Sequence, residues 1–214
     1  FVCSCEKGPT WEELNDQAIK LHSREKYDQA MEAARKSLTK AEERFGPESP
    51  NVASVLTNMG SIYLAKGDYE KAESSLKRAL AIQAGALGPD SEQAATIMNN
   101  LGYLYKIQGN KEKAESMYKR SLEIIKKVYG EKSANAAASM NNLAELYQSR
   151  GEYQKAEKYY RKALEAWKSA SGEKSPQAAV IRDKLSTLYR RMGKPENSRE
   201  PGGLPEKGEG PGLE

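Results

Sequence analysis

Apolar residues recur along this chain on two nested periods. At short range they follow a helix. Met98, Leu101, Gly102 and Tyr105 fall at i, i+3, i+4 and i+7, and Ala72, Leu76, Ala79 and Leu80 likewise share one helical face. At long range the whole pattern returns every 42 residues. One column reads Leu14, Leu56, Met98, Met140; the next reads Ala18, Gly60, Gly102, Ala144, Ser186. A third reads Leu21, Tyr63, Tyr105, Tyr147, Tyr189. Ala30, Ala72, Ala114, Ala156 and then Leu38, Leu80, Leu122, Leu164 follow, with no insertion or deletion across four full units. Such a period marks an array of stacked supersecondary units.

Each unit reads as two helices. First helices are predicted over 12–23, 51–66, 93–108, 135–150 and 177–192, and second helices over 27–44, 69–86, 111–128 and 153–170. The small residue at Gly60, Gly102 or Ala144 lets a neighbouring helix come close. Lys66-Gly67-Asp68, Gln108-Gly109-Asn110 and Arg150-Gly151-Glu152 read as tight turns, with Gly placed to end a helix. Units are joined by a Gly-x-x-Ser linker, at Gly46 to Ser49, Gly88 to Ser91, Gly130 to Ser133 and Gly172 to Ser175. Gly suits a left-handed helix end there. Each Ser suits the N-cap of the next helix, and Pro50 and Pro176 follow in the first turn, where no amide hydrogen is needed.

Asn99-Asn100-Leu101-Gly102-x-x-Tyr105 with Gly109 and Lys113-Ala114-Glu115, and Asn141-Asn142-Leu143-Ala144-x-x-Tyr147 with Gly151 and Lys155-Ala156-Glu157, resemble the tetratricopeptide repeat. The usual period of that family is about 34 residues. The 42-residue variant, with its longer second helix, resembles the repeats of kinesin light chains and of many bacterial proteins. The resemblance covers about residues 11–193 and implies an all-α solenoid. In it, antiparallel helix pairs wind into a right-handed superhelix of about four units plus a closing helix. First helices would line a concave groove that holds an extended or helical segment of a partner. Arg182 stands where the other units carry Leu or Met, which suits a polar closing helix.

Away from the packed face, the third first-helix carries Thr96, Asn100, Tyr103 and Ile107. The fourth carries Ala138, Asn142, Glu145 and Ser149, and Asn58, Asn100 and Asn142 form a ladder. The resemblance implies that these Asn amides hydrogen-bond a peptide backbone, since an amide both donates and accepts. The residues themselves allow a second reading, in which Asn bridges adjacent helices of one chain. Lys106 and Gln148 lie beside the ladder and would meet acidic groups of a partner. The candidate peptide-binding set is therefore Asn58, Asn100, Tyr103, Lys106, Asn142, Glu145 and Gln148. Asp16 and Lys184 break the ladder at its ends. Tyr63, Tyr105, Tyr147 and Tyr189 read as core.

Composition narrows the chemistry. Charged residues make up 30% of the chain and hydrophobic ones 38%, as thin stacked helices require. A formal charge of +4 spread along the chain, with no basic stripe and only two Phe, gives no footprint for nucleic acid. The single histidine, His22, and two distant cysteines cannot assemble the usual zinc set. Glycines recur singly at turns, not in a phosphate loop. The expectation is a non-enzyme with no metal or cofactor and with protein or peptide partners, other copies of itself included. No apolar run reaches the ~20 residues of a membrane span.

The ends depart from the repeat. Residues 1–10 form a leader with Cys3 and Cys5; starting at Phe1, the sequence reads as processed or truncated upstream. Phe1-Val2-Cys3-Ser4-Cys5 loosely resembles the end of a bacterial lipoprotein signal, with Cys5 the acylated residue. In an oxidising compartment Cys3 and Cys5 would instead serve inter-chain disulfides. The expected location is the cell envelope or outside, with the cytoplasm as alternative. Residues 194–214 are rich in Pro and Gly and read as an extended tail, with Leu204 and Leu213 as apolar anchors. Stacked head to tail through such ends, the protein would form a filament.

Overall fold

The computed structural model of the protein describes residues 8–194. Cys3, Cys5, Leu204 and Leu213 lie outside them, and with them the lipidation, disulfide and filament expectations. The described residues form helices α1 (Trp11–Ser23), α2 (Tyr27–Phe45), α3 (Pro50–Lys66), α4 (Tyr69–Leu87) and α5 (Glu92–Ile107). These are followed by α6 (Lys111–Tyr129), α7 (Ala134–Ser149), α8 (Tyr153–Ser171) and α9 (Pro176–Arg191). Every boundary falls within one residue of the position predicted from the repeat. No helix among the described residues is long and apolar enough to cross a membrane.

Two compact units divide the chain within α6, one up to Ile124 and one from Ile125. In the first, α1 packs on α2 and α3 on α4, α2 and α4 touch the helices that follow them, and α3 lies between α1 and α5. In the second, α7 pairs with α8, and α8 packs on α9.

Close approach inside a pair is fixed by the small-residue column. A methyl group on Gly60 would stand 2.6 Å from Leu76 Cγ of α4, and one on Gly102 would stand 2.7 Å from the Tyr118 ring. Leu76 and Tyr118 are buried to 0% and 1% exposure, so neither can swing away cheaply. The linker serines cap as predicted. Ser49, Ser91, Ser133 and Ser175 accept from the amides of Val52, Ala94, Ala136 and Ala178 at 3.2–3.4 Å.

The linker glycines differ from the expected left-handed cap. Gly88 has φ +89° and ψ 156°, and Gly46 and Gly172 match it, so the chain leaves the helix in an extended conformation open essentially to glycine alone. The left-handed conformation belongs to the turns inside each pair. There Gly67 (φ +77°, ψ 10°) donates to Leu64 O and Asp68 to Tyr63 O, the paired bonds of a Schellman motif. The first repeat makes the same two bonds, Glu25 to His22 O and Lys26 to Leu21 O, but with Glu25 held at φ +59°. A side chain with a Cβ is disfavoured there by about 1–2 kcal/mol.

This geometry makes two predictions about stability. Glu25→Gly raises the unfolding midpoint by the relief of that strain, about 1 kcal/mol in a urea titration. Gly102→Ala lowers it by about 1–3 kcal/mol despite alanine's better helix propensity, because the added methyl overpacks the contact with Tyr118. A Gly102→Ala variant as stable as the parent would show that α5 and the α6 segment carrying Tyr118 separate freely.

Candidate functional site

The ordered packing of each unit leaves one face of the first helices uncommitted, and the polar columns lie there. In α3, Asn58 Nδ2 donates to Asn15 Oδ1 of α1 at 2.9 Å. In α9 of the second unit, Lys184 Nζ donates to Asn141 Oδ1 of α7, also at 2.9 Å. Both bonds join residues 43 apart, so one lateral link recurs: the ladder residue of one first helix reaches the preceding column of the helix before it. Asn58 thus follows the bridging reading. Lys184 also pairs with Glu145 at 2.6 Å, and Asn141 Nδ2 donates to the same carboxylate at 3.2 Å. The charge that breaks the ladder at Lys184 is met by Glu145 one repeat earlier.

Asn100 is the exception. It is half-buried, and no described residue hydrogen-bonds its amide. The position it would link to is Thr57, a shorter side chain whose hydroxyl donates to Ala53 O at 2.7 Å. On the same face of α5, Tyr103 is 50% exposed and Ile107 40%. Lys106 lies with its ammonium 5.9 Å from the Tyr103 ring centre. The exposed side chain of Ile19 in α1 occupies the column of Tyr103.

The remaining candidates are placed differently. Gln148 accepts a hydrogen bond from the hydroxyl of Tyr160 at 2.8 Å and so satisfies a buried phenol of α8. Asn142 is half-buried and partnered. The tyrosine column is core from Tyr105 onward, with Tyr105, Tyr147 and Tyr189 buried and Tyr63 half-buried. Tyr105 and Tyr189 donate to Glu73 and Glu157, each at 2.9 Å, across an equivalent pair of helices.

One cleft on this face was not foreseen from the sequence. Between α3 and α5 lies an open hollow of about 200 Å³, lined by Ala53, Ser54, Thr57, Asn58, Gln93, Thr96 and Ile97, with Gln83 contributed by α4. Gln83 is 2% exposed. The signal was its column, which reads Ala41, Gln83, Ile125, Trp167, one polar residue among apolar ones. No group of three or more His, Cys, Asp or Glu side chains fit to hold a metal occurs among the described residues.

The sequence matches the Tetratricopeptide repeat family over residues 14–84, 52–127, 93–169 and 135–201. The chain belongs to the tetratricopeptide repeat family. Solved structures agree on the solenoid-like fold. BtubC (BKLC) from P. vanneervenii is 26% identical with a TM-score of 0.79, covering 89% of this chain and 76% of that one. A Podosopora anserina protein assigned to the kinesin light chains, with nearly identical TPR-like repeats, is 18% identical with a TM-score of 0.75, over 89% and 90% of the two chains. A Rap protein solved in complex with Competence and Sporulation Factor is 17% identical with a TM-score of 0.73, and the match spans 89% of this chain and 51% of that one. No curated protein gives a significant match. As a tetratricopeptide repeat protein the chain is a protein-interaction scaffold, of a class that is generally non-catalytic.

The buried phenols of this scaffold give it an alkaline limit. Burial first, and then the hydrogen bond to Glu157, push the Tyr189 phenol up to about 12. Burial likewise raises Tyr160, and burial and then Glu73 raise Tyr105. The folded state therefore keeps protons that the unfolded chain gives up near the ordinary tyrosine value of about 10. This contribution is complete below pH 10 and is lost as pH rises through about 12 for Tyr189. The urea midpoint is expected to fall across that window, and Tyr189→Phe to flatten the fall. An unchanged slope in the variant would mean that Tyr189 ionises as freely folded as unfolded.

Proposed function

We propose that the protein binds an extended segment of a partner polypeptide along the first-helix face, with Asn100 as the central backbone contact. The observation that carries this is the half-buried amide of Asn100, which has no hydrogen-bond partner among the described residues, beside the exposed Tyr103 and Ile107. A carboxamide with no partner in the chain but within reach of solvent can exchange water for a peptide backbone, which offers it both a donor and an acceptor. Tyr103 and Ile107 supply apolar area beside it, and Lys106 supplies a positive charge. Asn58 serves this reading through the side chain it already holds in place, and within the second unit, taken by itself, Asn142, Glu145 and Gln148 occupy the equivalent strip of α7. Packed helices lie about 8–10 Å apart and an extended chain rises about 3.3 Å per residue, so the segment would spend about three residues on each first helix. The Rap neighbour, solved in complex with a factor, is consistent with such a role for the fold.

The partner need not be identified before the test. A random twelve-residue peptide library is selected on the full chain, and the affinities of the selected peptides are measured by calorimetry against variants. Asn100→Ala and Tyr103→Ala should each weaken binding about tenfold while leaving the unfolding midpoint nearly unchanged. Selected peptides that bind both variants as tightly as the parent would overturn the reading.

A further inference from the structure

We infer that the cleft between α3 and α5 is a specificity pocket for one neutral carboxamide side chain, Asn or Gln, of the bound segment. This inference rests on the peptide-binding reading and adds to it which side chain is selected and where.

The decisive residue is Gln83. It reaches the cleft from the second helix α4, is 2% exposed, and none of the described residues hydrogen-bonds its amide. The amide atoms of Gln83 are not among the sealed, unpartnered polar atoms of the described residues, which are Trp11 Nε1 and Arg150 Nε, so what little of this side chain is exposed presents its two donors and its acceptor to the open cleft. Position 83 is not polar by the demands of packing, since the repeat accepts Ala41, Ile125 and Trp167 in the same column.

The rest of the lining says what the missing partner is. Ser54, Thr57 and Thr96 donate their hydroxyl hydrogens back to Pro50 O, Ala53 O and Glu92 O. Each hydroxyl that lines the cleft is therefore left with acceptor capacity only. Asn58 has given one amide hydrogen to Asn15, which leaves its second hydrogen and its oxygen. Gln83 and Gln93 offer both amide hydrogens and carbonyl oxygens. The cleft thus presents three hydroxyl acceptors and three carboxamides between the apolar walls of Ala53 and Ile97, and no charged side chain lines it. A carboxamide guest completes this set: its NH2 meets the hydroxyl and carbonyl acceptors, and its oxygen takes a hydrogen from Gln83. A carboxylate would face the acceptors with nothing to donate, and an ammonium would be desolvated without a counter-charge. A volume of about 200 Å³ is below the ~300–1,000 Å³ of pockets that enclose whole small molecules. It suits a single side chain presented by a peptide lying across α3 and α5.

The same twelve-residue library decides the matter, selected in parallel on the full parent chain and on the full Gln83→Leu variant. Leucine removes the amide but keeps the volume, and the column already tolerates Ile125, so the variant is expected to fold with an unfolding midpoint at or above the parent's. Peptides selected on the parent should carry Asn or Gln at one fixed position. Replacing that residue by Glu or Lys in a synthetic copy should weaken binding at least tenfold. The preference should vanish on Gln83→Leu. A groove that binds peptides sensitive to Asn100→Ala, with no Asn or Gln preference or with one that survives Gln83→Leu, would overturn the pocket and leave the groove standing. A library yielding no peptide sensitive to Asn100→Ala would overturn both. A Gln83→Leu variant that unfolds well below the parent would also overturn the pocket, because the amide would then have been satisfied within the fold.

Discussion

The packing of α3 on α4, and of α5 on the α6 segment that carries Tyr118, depends on how close the two helices of a pair can come, and that distance is set at one column. At Gly60 and Gly102 there is no room for a methyl group against Leu76 and Tyr118. Contact this tight fixes the rotation of the first helix about its own axis, because only one face offers the small residue. The columns beside it are then committed to core: Leu56, Met98 and Met140 on one flank, Tyr105, Tyr147 and Tyr189 on the other. What remains of each first helix is a strip that packing does not need, and on that strip the sequence is free to vary between repeats. Glu145, Tyr103 and Ser61 share one column of it.

Because the scaffold repeats, each polar link can be judged against its copies. The lateral link between ladder and preceding column is made by Asn58 with Asn15 and by Lys184 with Asn141. The second of these exchanges an amide for an ammonium, and the chain answers with the Glu145 carboxylate on the neighbouring first helix. These are departures with their compensation in place. Where Thr57 replaces Asn in the preceding column, no compensation follows, and Asn100 is left with donors and an acceptor unused. The turn of the first repeat is uncompensated in a different way, since Glu25 takes the positive φ of Gly67 with nothing to relieve it but the two backbone bonds it preserves.

The fold was legible because the sequence contains the same experiment several times over. Helix ends came out within one residue since Gly67, Gly109 and Gly151 punctuate each pair and Ser49, Ser91, Ser133 and Ser175 cap each successor. The linker glycines were read with the right sign of φ and the wrong ψ, because glycine tolerates both conformations and its identity cannot distinguish them. The site was less legible. A helical wheel shows that Asn58, Glu145 and Gln148 share a strip; it does not show Asn15, Lys184 or the Tyr160 hydroxyl arriving from other helices to occupy them. Gln83 was missed for the converse reason. It sits on a second helix, in a column that reads as core, and only the packing of three helices brings it beneath the strip.

Departures from a repeat therefore have to be sorted by whether the neighbours absorb them. A polar residue in an apolar column is ordinarily a liability, and selection for stability alone would return Gln83 to the Ile or Trp of its copies. Here its amide opens into the cleft lined by Ser54, Thr57 and Thr96, which is the ground for proposing that a bound side chain meets it. The same holds for Asn100, where an amide that could have been closed off by Asn at position 57 is left open. Two carboxamides without a partner among the described residues thus lie on the first unit, near exposed Tyr103 and Ile107, and they are what supports the proposed contacts to a partner backbone and to one of its side chains.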